Sequence, residues 1–214
     1  MENSLRKELN SFWAWAEITP EEYSNGETPK IVARAEWEEE YPNWRQLERS
    51  FRNELKNYKQ NSDSSHLASV LEFLGIDNES GTALDALIEE LNSTQQSTFS
   101  KLGYQFTMPQ TRWQVAEFLS ESSVPNKTDL LEEMISTDED KYVQRRALLS
   151  LVDIAPELAC KYACEKLRDE DEYLRLVSLR ILKEQNSNHL SEATTFLRND
   201  PSNLIQEELS KSSQ

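Results

Sequence analysis

The sequence predicts an all-α protein: a right-handed solenoid of stacked helical hairpins, preceded by an irregular helical N-terminal region. Three observations carry this. Only four glycines stand among 214 residues, too few for the closely spaced turns that a strand-rich fold needs. Apolar residues recur at steps of three and four through most of the chain, the period of a helix with one buried face. Three aspartates, Asp138, Asp169 and Asp200, stand 31 residues apart, and their neighbours repeat at the same spacing.

The elements follow in order. Leu5, Leu9, Phe12, Trp13 and Ala16 make a helical stripe over 4–17, which Thr19-Pro20 ends because the residue before proline avoids the α region. Residues 24–30 read as a loop, and a short helix is expected over 31–40. After Pro42 a strong stripe runs through Trp44, Leu47, Phe51, Leu55 and Tyr58, then a linker over 60–65. Helices are expected near 65–74 and 82–92, with Gly75 just past the end of the first and Thr82 with Asp85 opening the second as in a capping box. Residues 93–108 are ambiguous: Phe99, Leu102, Tyr104 and Phe106 are apolar, but Gly103 and the hydroxyl residues weaken the pattern. Pro109 suits a first helical turn and precedes Trp113, Ala116 and Leu119 on one face. Further helices are expected at 127–136, 140–154, 156–168, 172–184, 189–198 and 202–211. This gives an N-terminal helical region (1–60), an acidic helical segment (61–108) and a repeat region (109–214).

The repeat is clearest where Asp138-Glu139-Asp140-Lys141-Tyr142 aligns with Asp169-Glu170-Asp171-Glu172-Tyr173. Ala116, Ala147 and Ser178 share the spacing, as do Val143, Leu174 and Ile205. The small residues are read as packing positions where helices approach closely. A unit of 31 residues holds two short helices and their turns, and one such hairpin cannot bury both faces without a neighbour.

A turn aspartate, then an aliphatic residue, an arginine, a small residue and a leucine, resembles a HEAT-type repeat. Asp169 or Asp171, Leu174, Arg175, Ser178 and Leu182 match this pattern, as do Asp138 or Asp140, Val143, Ala147 and Leu151. Gln144 departs from it by standing where arginine is usual. The likeness covers roughly 109–211 and is to the compact bacterial form. It implies a solenoid in which turn aspartates cap helices and pair with arginines of adjacent units.

The net charge of −16 is uneven. Residues 61–141 hold 15 acidic and 4 basic residues, while 142–214 hold 12 and 10. A chain this acidic is a poor match for nucleic acid or an anionic membrane surface, and no apolar run approaches the ~20 residues of a membrane span. With no signal-peptide pattern at the start and only two cysteines, the expected location is cytoplasmic. The concentrated charge points to a basic protein partner, against the plainer reading of solvated helix faces. Asp85 and Glu89 share one helix face. Asp129, Glu132 and Glu133 share another. These five are the expected partner-binding residues.

No catalytic constellation is visible, and the chain is read as a nonenzyme. Cys160, Cys164 and His189 together offer three metal ligands, but both cysteines also fit the apolar stripe and are assigned to the core. No metal and no cofactor is expected. Glu89-Glu90, Glu132-Glu133 and Glu207-Glu208 point about 100° apart on their helices and form no dyad. Trp13 and Trp44 read as core; packing is also the favoured reading of Trp15 and Trp37, with one of them capping the solenoid or anchoring a partner as the alternative. The resulting expectation is a noncatalytic inhibitor, similar to the immunity protein of a toxin–immunity pair, masking a basic nuclease toxin domain. A bilin-lyase-type enzyme acting on a small ligand, or a general assembly scaffold, is the alternative.

Overall fold

A computed structural model describes residues 4–27 and 40–211, so all but the last residue of the helix expected over 31–40, Trp37 included, lies outside the described residues. Within them every α or 3-10 element is helical and no strand occurs. The chain divides into two compact units, Met1–Pro125 and Asn126–Gln214.

The first unit holds α1 (Ser4–Ala16), α2 (Pro20–Ser24), α3 (Trp44–Asn61), α4 (Leu67–Ile76), α5 (Thr82–Glu90), α6 (Ser93–Gly103) and α7 (Pro109–Glu121). Its centre is α4, which is apolar nearly all round, as a helix enclosed by others must be. Residues 67 and 69–76 of α4 are buried, against α1, α3, α5, α6 and α7. Aromatic rings fill the space around it. Phe51 stacks on Phe73 at 4.7 Å, Trp44 lies 5.6 Å from Phe73, and Phe12 meets Tyr41 edge-on at 5.3 Å. Trp13 and Trp44 are core, whereas Trp15 is half-buried beside Tyr41.

Local signals at three helix ends differ from the sequence reading. α1 ends at Ala16, with Glu17 in the left-handed region, and Thr19-Pro20 instead starts α2. Pro20 takes the first turn, where a missing N–H costs nothing, and Thr19 and Glu22 form a reciprocal capping box. The ambiguous 93–108 stretch contains a helix because Asn92 and Gln95 make another such box. At α5 the expected Thr82/Asp85 box is absent. The N-cap is Gly81, in the left-handed region, and the fully buried Asp77 carboxylate reaches across to accept the Ala83 N–H at 2.5 Å.

Gly75 is not a terminator either; it lies inside α4. A Cβ there would sit 2.6 Å from Thr111 Oγ1 of α7, so its role is close helix approach. Thr111 Oγ1 is itself held by donation to Leu71 O at 2.8 Å and has little room to yield. Gly75→Ala should therefore cost about 1–2 kcal/mol through overpacking, read as a lowered urea midpoint of tryptophan fluorescence.

The second unit holds α8 (Lys127–Thr137), α9 (Lys141–Ile154), α10 (Pro156–Lys166), α11 (Glu172–Glu184), α12 (Leu190–Phe196) and α13 (Asn203–Ser210). Here α9 packs on α8, α10 and α11, and α11 packs on α10, α12 and α13. The positions that recur every 31 residues form its interior. Val143, Leu174 and Ile205 are fully buried, as are Ala147 and Ser178.

Candidate functional site

The three turn aspartates occupy equivalent turns, as their spacing predicts. Asp138, Asp169 and Asp200 each accept the backbone N–H two residues on, at 2.9, 3.0 and 2.9 Å. That second residue is the N-cap of the following helix: Asp140 for α9, Asp171 for α11 and Ser202 for α13. A side chain on the helix then closes each turn from behind. Gln144 Nε2 donates to Asp138 O at 2.6 Å, Arg175 Nη1 to Asp169 O at 2.9 Å, and Gln206 Nε2 to Asp200 O at 2.9 Å. In the first unit Arg112 donates in the same way to Phe106 O and Thr107 O.

The turns are also tied to one another. Arg175 binds Asp200 with two hydrogen bonds, Nε to Oδ2 at 2.8 Å and Nη2 to Oδ1 at 2.9 Å. Gln144 lacks the cation for the equivalent pair, and Lys141 supplies it, with Nζ 2.9 Å from Asp169 Oδ2. The expected gap in the ladder is thus bridged by a residue three positions earlier. Burial works to raise the Asp169 and Asp200 carboxyls, but the N–H groups and cations outweigh it and both lie below the usual carboxylate value. At the far end Glu208 accepts from Lys183 at 2.6 Å and Arg180 at 3.2 Å, which, against some opposing burial, lower its carboxyl to about 2.

The acidic segment is partly absorbed by such bonds. Its internally used carboxylates include these: Asp63, Asp138 and Asp140 hold turn N–H groups, Asp77 caps α5, Glu72 accepts from Trp13 and Arg6, Glu90 pairs with Lys59, and Glu132 accepts from Tyr162. Of the five predicted partner-binding residues, Asp85 and Glu89 are exposed on α5, and Asp129 and Glu133 on α8. Glu132 is half-buried, its Oε1 accepting from the Tyr162 hydroxyl at 2.9 Å. Burial, then this bond to the Glu132 carboxylate, pushes the Tyr162 phenol up. Asp85 and Glu89 belong to the first unit; Asp129, Glu132 and Glu133 belong to the second.

The cysteines are half-buried rather than core. Cys164 lines a pocket of about 270 Å³ with Arg168, His189, Glu192 and Phe196. Burial pushes its thiol up, and nearby Cys160, Glu192 and Glu165 add to this. A protonated thiol is a poor nucleophile. Among the described residues no group of three or more His, Cys, Asp or Glu is placed to hold a metal, and no helix is long and apolar enough to cross a membrane.

One surface escaped the sequence reading. The tyrosines of the repeated motif, Tyr142 and Tyr173, are 42% and 47% exposed. The Arg145 guanidinium lies 5.0 Å from each ring centroid, a double cation–π contact worth about 0.5–1 kcal/mol per ring at an exposed site. The available signal was the 31-residue recurrence of tyrosine, with an arginine one turn beyond the first of the two. Comparison with known proteins finds no family model and no curated protein that matches the chain.

Proposed function

We propose that this chain is a noncatalytic protein-binding protein, a HEAT-like helical solenoid over about 109–211, whose acidic helices mask a basic protein partner such as a nuclease toxin domain. The repeated turn, in which an aspartate orders the next helix and a helix side chain closes behind it, supports the repeat reading. Each bracket fixes a hairpin in register and leaves its outer residues free for contacts.

The observation that carries the charge reading is the remainder of the acidic segment. Asp85, Glu89, Glu121, Asp129, Glu133 and Glu139 are exposed and have no cation partner among the described residues. These carboxylates contribute nothing visible to the fold, and carboxylates held apart from cations set a field that speeds the approach of a basic surface. A nuclease's substrate groove is such a surface.

The test is capture of a partner from native lysate by the tagged full chain, followed by association kinetics with that partner. A basic partner is expected. Reversing Asp85, Glu89, Asp129 and Glu133 to Lys should slow its association by about tenfold. Glu132 is left intact because Tyr162 depends on it. Reversing Glu192 and Glu207 should change association little, since residues 142–214 are nearly charge-balanced. An acidic partner, or association indifferent to the four reversals and to added salt, would overturn the reading.

A further inference from the structure

Arg145 and its neighbour Arg146 stand apart among the cations of α9 and α11: each has a buried Nε without an acceptor and each lies near the Tyr142 ring, but only Arg145 also lies against Tyr173. Lys141 pairs with Asp169, Arg175 with Asp200, and Arg180 and Lys183 with Glu208. Arg145 has no carboxylate at ion-pair distance among the described residues, and its buried Nε finds no acceptor. In a chain with 39 acidic and 23 basic residues, an arginine held by two rings instead of a carboxylate has its hydrogen-bonding capacity unspent.

We propose that the Tyr142–Arg145–Tyr173 stack is a docking site for an acidic segment of a partner protein, in which a carboxylate takes the free edge of Arg145 and a neighbouring apolar side chain rests on Leu149. This site is opposite in charge to the carboxylates of the proposed function, of which Glu139, three residues before Tyr142, is the nearest in sequence.

Four features specify that occupant. With rings against the guanidinium and Nε buried, the two terminal Nη groups are the route to a ligand, and a planar acceptor that takes two parallel bonds is a carboxylate. The stack also fixes a side chain that would otherwise lose rotamer freedom on binding, which lowers the cost of association. Leu149, one helical turn beyond Arg145 and 40% exposed, supplies an apolar contact beside the charge. Finally, Glu139 and Glu170 are exposed three residues before Tyr142 and Tyr173. They would repel the closely spaced phosphates of a nucleic acid, whereas a peptide with carboxylates beside apolar residues can place its charge on Arg145 alone.

The test is fluorescence anisotropy with the full chain and three labelled probes: a peptide repeating Gly-Glu-Leu-Gly, its Gly-Gln-Leu-Gly counterpart, and an oligothymidine strand. The Glu peptide is expected to bind with a Kd on the order of 100 µM or tighter, and the Gln peptide about tenfold more weakly. Arg145→Lys keeps the charge but loses the fork, and should weaken the Glu peptide about tenfold. Leu149→Ser, an exposed change that spares the fold, should weaken it by a factor of about three. Asp85→Lys with Glu89→Lys should leave it unchanged, which separates this site from the proposed function. Absence of Glu-peptide binding up to about 1 mM, equal binding of the two peptides, indifference to both Arg145→Lys and Leu149→Ser, or tighter binding of oligothymidine would each overturn the proposal.

Discussion

Asp200→Ala should destabilise the second unit by about 3 kcal/mol, well beyond the loss of a surface ion pair. Its side chain is 6% exposed and that of Arg175 12%, so both charges sit largely out of water. Removing the carboxylate strips Arg175 of two hydrogen bonds and leaves the Ser202 N–H, at the start of α13, without its acceptor. The lost bond to the Ser202 N–H is worth about 1 kcal/mol, and the remainder is the cost of a half-buried guanidinium stripped of its carboxylate. Asp200→Asn keeps an oxygen for Ser202 and should cost about half as much. Arg175→Met combined with Asp200→Ala should cost clearly less than the sum of the singles, since each single change strands the other partner. The readout is urea unfolding by far-ultraviolet circular dichroism beside tryptophan fluorescence. All five tryptophans precede residue 126, so fluorescence follows the first unit and should not move. A loss under about 0.5 kcal/mol would reduce this rung of the ladder to an ordinary surface pair.

Periodicity made the helices legible, and spacing made the turns legible. Val143, Leu174 and Ile205 are buried because a 31-residue register returns the same helix face to the interior, and that register is visible in one sequence. Side chains that act across space were not legible. Asp77 caps α5 from six positions before Ala83, beyond the reach of a capping-box pattern. Lys141 replaces the missing arginine at position 144 only because α9 and the turn at Asp169 are neighbours. The acidic segment was legible as a count, but the count does not separate Glu132, bonded to Tyr162, from the exposed Glu133 beside it. Conversely, Tyr142 and Tyr173 read as part of a motif, and only the fold places Arg145 between them.

The second large effect is loss of stability of the second unit in acid. Lys183, Nζ at 2.6 Å, and then Arg180 hold the Glu208 carboxyl at about 2 against its ordinary value of about 4.5. A carboxyl whose folded value lies below its unfolded value binds more protons unfolded, so stability rises with pH across that window. The contribution is therefore complete above about pH 4.5 and falls away as the pH drops toward 2. A shift of this size corresponds to roughly 2–3 kcal/mol once the exposure of Arg180 is allowed for. Asp169 and Asp200 are lowered as well and add to the loss in the same direction. The urea midpoint of the circular dichroism signal should thus fall steeply between about pH 5 and pH 2. Glu208→Gln should lower the midpoint at neutral pH and flatten the acid limb, because a neutral amide has no proton to gain and no charge for Lys183 to meet. If Glu208→Gln leaves the acid limb as steep as before, the proton uptake belongs to the turn aspartates, and Asp169→Asn with Asp200→Asn should then remove it.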